Sequence, residues 1–207
     1  MTLYRSRDRF KQFSVKVGIL FARIGLSPNQ WTLISIVPIA VAFFYLISEQ
    51  FLKAAVFLAI AAFIDVVDGA VARVTGRVTK LGAYLDTMVD RYIEGAVLFG
   101  LLFASLPRVY APMEGWIFLL LFGAIVTTYA KAAAKEKDIT QTEIRGGILE
   151  HTDRMIVLFV AILAAAFFGK LVLSYAIIVL AILANISALQ RMWIVYTLAR
   201  RKHFWNR

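Results

Sequence analysis

Six apolar stretches divide the 207-residue chain, at about residues 31–48, 51–74, 81–106, 113–133, 154–169 and 171–195. A helix needs roughly 20 mostly apolar residues to cross a bilayer, so each stretch is about one crossing long. Together they leave only short connections and tails, with no room for a sizeable soluble domain. The chain reads as an all-α integral membrane protein of six transmembrane helices, preceded by an interfacial amphipathic helix. Composition agrees: 61% of residues are apolar and 17% charged, against about 25% charged in soluble domains. A soluble enzyme, a disordered chain and a coiled coil are excluded on that ground. The absence of cysteine excludes disulfides, thiolate metal sites and cysteine nucleophiles.

The punctuation supports this division. In residues 8–24, Phe10, Phe13, Val17, Leu20, Phe21 and Ile24 recur at helical spacing, with Arg9, Lys11, Gln12 and Lys16 largely opposite. That pattern suits a helix lying in the headgroup plane of an anionic leaflet. Ser27 is placed to cap the next helix, with Pro28 at its first position. Pro38 is expected to kink the first span. The organisation is therefore residues 1–27 as a cytoplasmic or interfacial amphipathic helix, 28–197 as a six-helix transmembrane domain and 198–207 as a basic cytoplasmic tail. Only Lys53, Arg108 and Lys170 among the 23 Lys and Arg fall near the first, third and fifth turns. Cytoplasmic loops collect basic residues, so six spans in the cell membrane with both termini cytoplasmic explain the asymmetry. The net charge of +10 is then a membrane signature, and no nucleic-acid partner is expected.

Four aspartates interrupt the apolar sequence. Asp65 and Asp68 end the second span; Asp86 and Asp90 begin the third. Each would cost about 2.5–3.5 kcal/mol at a span centre, so something must compensate them. Spacings of three and four place each pair on one face of its helix. Gly69 and Ala72 share the first face and Gly82 the second, which permits close helix packing or the approach of a ligand to the backbone. The two helices run antiparallel through a short connection, so both pairs lie at similar depth, toward the cytoplasmic side. Four facing carboxylates repel, and two divalent cations would balance them. Ligation by oxygen alone favours Mg²⁺ or Mn²⁺. The plainer alternative is pairing with Arg73, Arg77, Lys80 or Arg91, but four carboxylates in two helix-spaced pairs favour a metal site. Glu94, one turn beyond Asp90, is placed to orient Arg91 or a metal ligand, or to face a polar cavity.

The series Asp65-x2-Asp68-Gly69-x2-Ala72-Arg73-x8-Gly82-x3-Asp86-x3-Asp90 resembles the defining motif of the CDP-alcohol phosphotransferase family at every fixed position. The resemblance implies an enzyme of phospholipid biosynthesis. A CDP-linked lipid, CDP-diacylglycerol or CDP-archaeol, would give its phosphoalcohol moiety to an acceptor hydroxyl, with release of CMP. Carried over by position, Asp65, Asp68, Asp86 and Asp90 would hold two divalent ions, Asp90 serving also as general base. The CDP or CMP site would be formed by Asp65, Asp68, Gly69, Ala72, Arg73 and Gly82, with Asn29 and Thr32 at the first span contacting the nucleotide. A homodimer is also implied.

Lys131, Arg154 and Arg191 fall at the cytoplasmic ends of their spans and form a candidate phosphate site for the acceptor. As single residues each also reads as ordinary positive-inside charge. Tyr129-Ala130-Lys131-Ala132, Gly146 to Arg154 and Gln190-Arg191 look like segments of phosphatidylinositol-phosphate synthases and their archaeal counterparts, which implies inositol phosphate as acceptor. His151 stands where that subfamily has arginine, and would bind phosphate when protonated. Glycerol phosphate and serine are the alternative acceptors. An ion-coupled transporter is the alternative of a different class, because intramembrane acids also mark ion pathways. Against it, the acids all fall within residues 65–94, with no matching set in the second half.

Overall fold

The computed structural model describes residues 14–140 and 147–205, with side chains as far as Arg200. Among them there is no strand. The helices are α1 (14–22), α2 (Pro28–Ile34), α3 (Ile36–Ile47), α4 (Phe51–Thr75), α5 (Lys80–Phe103), α6 (Met113–Glu136), α7 (His151–Phe168) and α8 (Lys170–Trp205). They gather into two compact units, Met1–Gly100 and Leu101–Arg207.

Five described stretches are long and apolar enough to cross a membrane: Pro28–Ile47, Phe51–Thr75, Met113–Glu136, His151–Phe168 and Lys170–Arg200. α5 is as long as α6 but is not among them. It carries Asp86, Asp90, Arg91 and Glu94 within three turns, and these dilute its hydropathy. The expected count of six thus stands at five by length and composition.

In the first unit, Ser27 caps α2 with a reciprocal box: Gln30 Oε1 accepts from Ser27 N at 2.8 Å, and Ser27 Oγ accepts from Gln30 N at 3.4 Å. Pro38 acts earlier in the chain than its own position. It has no N–H for the Ile34 carbonyl and crowds that carbonyl. α2 accordingly ends at Ile34 and α3 restarts at Ile36. α2 and α3 both pack on α4. Gly76, at φ 68°, closes α4 in the left-handed conformation that glycine adopts without steric cost. Thr79 opens α5 by accepting from Gly82 N at 2.9 Å.

α1 packs on α4 through Val17 and Phe21, which join Trp31, Val67, Ala70 and Val71 in one apolar cluster. Gly18 allows the approach, since a Cβ there would stand 2.6 Å from the Ala70 carbonyl oxygen. Leu20 and Ile24, expected on the same face as Val17, are exposed together with Val15 and Ile19. Phe10, Phe13, Arg9, Lys11 and Gln12 lie outside the described residues.

In the second unit α6 and α7 both pack on α8. Leu173, Ile177, Leu180, Ala184 and Ala188 form the buried stripe of α8, at steps of three and four. Gly123 of α6 lies so near α8 that a Cβ would be 2.9 Å from Asn185 N. In lipid, helix association depends on such packing and on interhelical hydrogen bonds. Asn185 Nδ2 supplies one to the Leu119 carbonyl at 2.9 Å. Lys170 Nζ to Ser105 O at 3.2 Å and Ser174 Oγ to Pro107 O at 3.1 Å tie α8 to the turn before α6. α8 continues to Trp205, through much of the expected tail. No Gly or Pro follows Gly169, and lysine and arginine are good helix formers, favourable near a C-terminus.

Candidate active site

α4 and α5 bring the acidic residues together. Carboxylate oxygens of Asp65, Asp68 and Asp86 all lie within 4.8 Å of one another. Asp90 follows Asp86 by one turn and lies within electrostatic range of both Asp65 and Asp68. Asp68 is buried, and one of its oxygens, Oδ2, accepts the Thr32 hydroxyl at 2.5 Å. Like charges at such separations repel one another. A shared cation removes that repulsion, and three carboxylate donors fit a hard divalent ion such as Mg²⁺ or Mn²⁺.

A cavity of about 420 Å³ opens beside this cluster. Asn29, Thr32, Asp65, Asp68, Gly69, Ala72, Arg73, Gly82 and Asp86 all line it. The small residues have geometric consequences. A Cβ on Gly82 would stand 3.1 Å from Asn29 Oδ1, and one on Gly69 would stand 3.1 Å from Arg73 Nη1. Arg91, a possible counter-ion, bonds Glu94 through Nη1 at 2.7 Å, so Glu94 orients Arg91.

The remaining candidates lie in the second unit. Arg154 is 2% exposed and Arg191 4%. Flanking charges at a membrane surface would be solvated, so these two are built into the unit. Arg191 Nη1 donates to Thr127 O at 3.0 Å, and Nη2 lies 3.5 Å from Glu150 Oε1. Arg154 is within electrostatic range of Arg191. Lys131 lies one turn beyond Thr127 on the same face of α6. Residues 148 and 149 are held by α8: Ile148 N donates to Gln190 Oε1 at 3.1 Å and Leu149 N to Ser187 Oγ at 3.0 Å. His151 begins α7 and is half-buried, behind a cap in which Asp153 Oδ2 accepts from Glu150 N at 3.0 Å.

Arg77, considered above only as a counter-ion, and Thr79 also line the cavity. Thr79 was legible as a cap three residues before Gly82. Ser14, whose hydroxyl accepts from Arg73 Nη2 at 2.8 Å, carries no local signal, because the partners are 59 positions apart.

Comparison with known proteins decides the class. Residues 25–186, well over half the chain, match the family model described as CDP-alcohol phosphatidyltransferase. The chain belongs to the CDP-alcohol phosphatidyltransferase family. As a CDP-alcohol phosphatidyltransferase it is a transferase of phospholipid biosynthesis, and the transporter alternative is not favoured. It is 32% identical over 193 residues to archaetidylinositol phosphate synthase of Pyrococcus horikoshii, covering 92% of this chain and 95% of that one. It is 33% identical over 150 residues to phosphatidylinositol phosphate synthase of Corynebacterium glutamicum, covering 70% and 67%. Its fold is similar to the crystal structure of Mycobacterium tuberculosis phosphatidylinositol phosphate synthase with CDP-DAG bound, with a TM-score of 0.79 and 27% identity over 90% of this chain and 94% of that one. The same enzyme in complex with manganese and citrate gives a TM-score of 0.79 at 26% identity, covering 89% of each chain.

Proposed function

We propose that this chain transfers the phosphatidyl or archaetidyl group of a CDP-linked lipid to inositol phosphate, releasing CMP. The observation that carries the reading is one cavity holding the Asp65–Asp68–Asp86 cluster together with Gly69, Ala72, Arg73 and Gly82. Asp65, Asp68, Asp86 and Asp90 would hold two divalent cations, which when bound would neutralise charge on the pyrophosphate and on departing CMP. Phosphoryl transfer is largely positioning and charge stabilisation, and the residues divide those tasks. Thr32 fixes the Asp68 carboxylate. Asn29 and Gly82 face each other on the nucleotide side, and Gly82 leaves the space a side chain would fill. Arg73 offers donors in a rigid fork to phosphate or to the cytosine ring. Asp90 takes the proton from the acceptor hydroxyl as it attacks phosphorus.

The acceptor reading is supported by the buried Arg154 and Arg191 and by relatives named as inositol phosphate synthases. Lys131 and His151 would complete the phosphate contacts. The relatives include both archaetidyl and phosphatidyl enzymes, so CDP-archaeol and CDP-diacylglycerol are both candidate donors.

The topology proposed is six spans, with α5 crossing as the third. Its 24 residues extend about 36 Å at 1.5 Å each, enough for a core of about 30 Å. The basic residues support cytoplasmic termini and a site near the cytoplasmic face of the cell membrane. Residues 1–27 would rest at the interface, and exposed Val15, Ile19, Leu20 and Ile24 favour contact with lipid there. Residues 28–197 would be the catalytic domain and 198–207 a basic segment. A homodimer is expected from the family likeness.

The test is CMP release by purified protein with CDP-diacylglycerol or CDP-archaeol and Mg²⁺ or Mn²⁺. Inositol phosphate, glycerol phosphate and serine are supplied separately. Stimulation by inositol phosphate alone supports the reading. Stimulation by glycerol phosphate or serine moves the acceptor, and silence with every pair defeats it.

A further inference from the structure

The N-terminal helix reaches the catalytic machinery through one hydroxyl. Arg73 Nη2 donates to Ser14 Oγ at 2.8 Å. Arg73 is exposed, whereas Ser14 is 6% exposed. The anchor is therefore better fixed than the side chain it holds. Its backbone is seated by Gly18 against the Ala70 carbonyl and by Val17 in the apolar cluster with Val67 and Val71. A free arginine samples many rotamers, and ordering it when a ligand arrives costs entropy. Ser14 engages one terminal nitrogen. The other, Nη1, lies over Gly69, 3.1 Å from where a Cβ would stand. The guanidinium is thus set in the cavity wall by an anchor on one side and by absent side-chain bulk on the other.

From this geometry we infer that Ser14 is a positioning residue for the donor site, presetting Arg73 for the diphosphate or base of the CDP-alcohol. The inference rests on reading the cavity as the CDP-alcohol site. Ser14 need not touch substrate. Its contribution is to reduce the ordering Arg73 undergoes on binding, so it belongs to donor affinity rather than to the chemical step.

The experiment uses the full chain in lipid nanodiscs with Mn²⁺, CDP-diacylglycerol and inositol phosphate. Ser14→Ala, Arg73→Lys and the double variant are compared with the parent. Ser14→Ala should raise the donor KM about five- to tenfold, within the range for ordering one rotamer-rich side chain on binding. The kcat and the acceptor KM should stay within about twofold. In the Arg73→Lys background the same change should add less than about twofold, because the coupled partner is already altered. A donor KM that Ser14→Ala leaves unchanged overturns the inference. So does an effect that persists in full beside Arg73→Lys, which would mark a purely structural role for Ser14. A parent protein that turns over no CDP-alcohol overturns the donor-site reading as well. An active parent with an indifferent Ser14→Ala overturns this inference alone.

Discussion

Thr32 donates its hydroxyl to Asp68 Oδ2 at 2.5 Å, joining α2 to α4 across 36 positions with both side chains buried. A carboxylate held through one oxygen cannot swing freely, so the other two members of the cluster meet a fixed partner. Partners behind metal ligands typically change metal affinity by about 10–100-fold when removed. Thr32→Val keeps the shape and removes the donor. It should weaken Mn²⁺ binding by about tenfold in calorimetric titration, and Thr32→Ser should retain most of the affinity. Equal binding by all three proteins would mean that Thr32 does not orient Asp68.

The cluster and Asp90 should separate by variant. Asp86→Asn removes the negative charge of one of the three carboxylates whose oxygens lie within 4.8 Å, and should lower both Mn²⁺ affinity and turnover, the latter by about 100-fold or more. Asp90→Asn should abolish transfer while CDP-lipid binding, measured by equilibrium titration, stays largely intact. Unchanged turnover in Asp90→Asn would remove its role as base.

Gly69 should behave as a site residue rather than a folding residue. Its missing Cβ faces the flexible tip of Arg73, which can yield, and no backbone. Gly69→Ala should raise the donor KM severalfold and leave the thermal midpoint within about 2 °C of the parent, far less than the shift expected of a core clash. A large loss of stability would mean that the glycine is needed for packing instead.

Gly123 should behave in the opposite way. A Cβ there would meet Asn185 N at 2.9 Å and the Ala184 carbonyl carbon at 3.0 Å, and neither backbone can step aside cheaply. Overpacking of this kind costs about 1–3 kcal/mol. Gly123→Ala should lower the thermal midpoint in detergent, and Gly123→Val should lower it further. Midpoints unchanged in both variants would show that α6 and α8 are free to separate.

Arg191 joins the acceptor proposal to the packing of its unit, through Thr127 O and Glu150. Arg191→Lys keeps the charge and loses the fork, so it should raise the inositol phosphate KM about tenfold with little change in the donor KM. A change confined to the donor KM would place the acceptor pocket elsewhere.

The local grammar of the chain was legible. Ser27 and Pro28 announce the start of α2, and Pro38 announces a break, although the interruption falls at Ser35, just after the Ile34 carbonyl that the missing amide leaves without its helical partner. The two aspartate pairs could be placed on helix faces from spacing alone, and three of the four meet in one cluster. Long-range contacts were not legible. Nothing near Ser14 points to Arg73, and nothing in Thr32 names Asp68 rather than a nucleotide. α5 shows a different limit. The charges that give it functional interest are those that lower its hydropathy, so a membrane criterion and a site criterion compete over the same residues. The Glu150–Asp153 cap was present in the sequence but hidden behind a second meaning, since these residues also read as part of an acceptor segment.

The length of α8 sets a depth scale. Thirty-six residues at 1.5 Å each make a rod of about 54 Å, and an upright rod uses only about 20 residues to traverse 30 Å of hydrocarbon. On the proposed topology, an upright α8 entering at Lys170 would leave the oily layer near Gln190, and Arg191 is the next residue. The final turns would then extend about 20 Å beyond the hydrocarbon. On the proposed reading, inositol phosphate arriving from that side would reach Arg191 at the waterline without being drawn into the oil, while the donor's tails would stay in it.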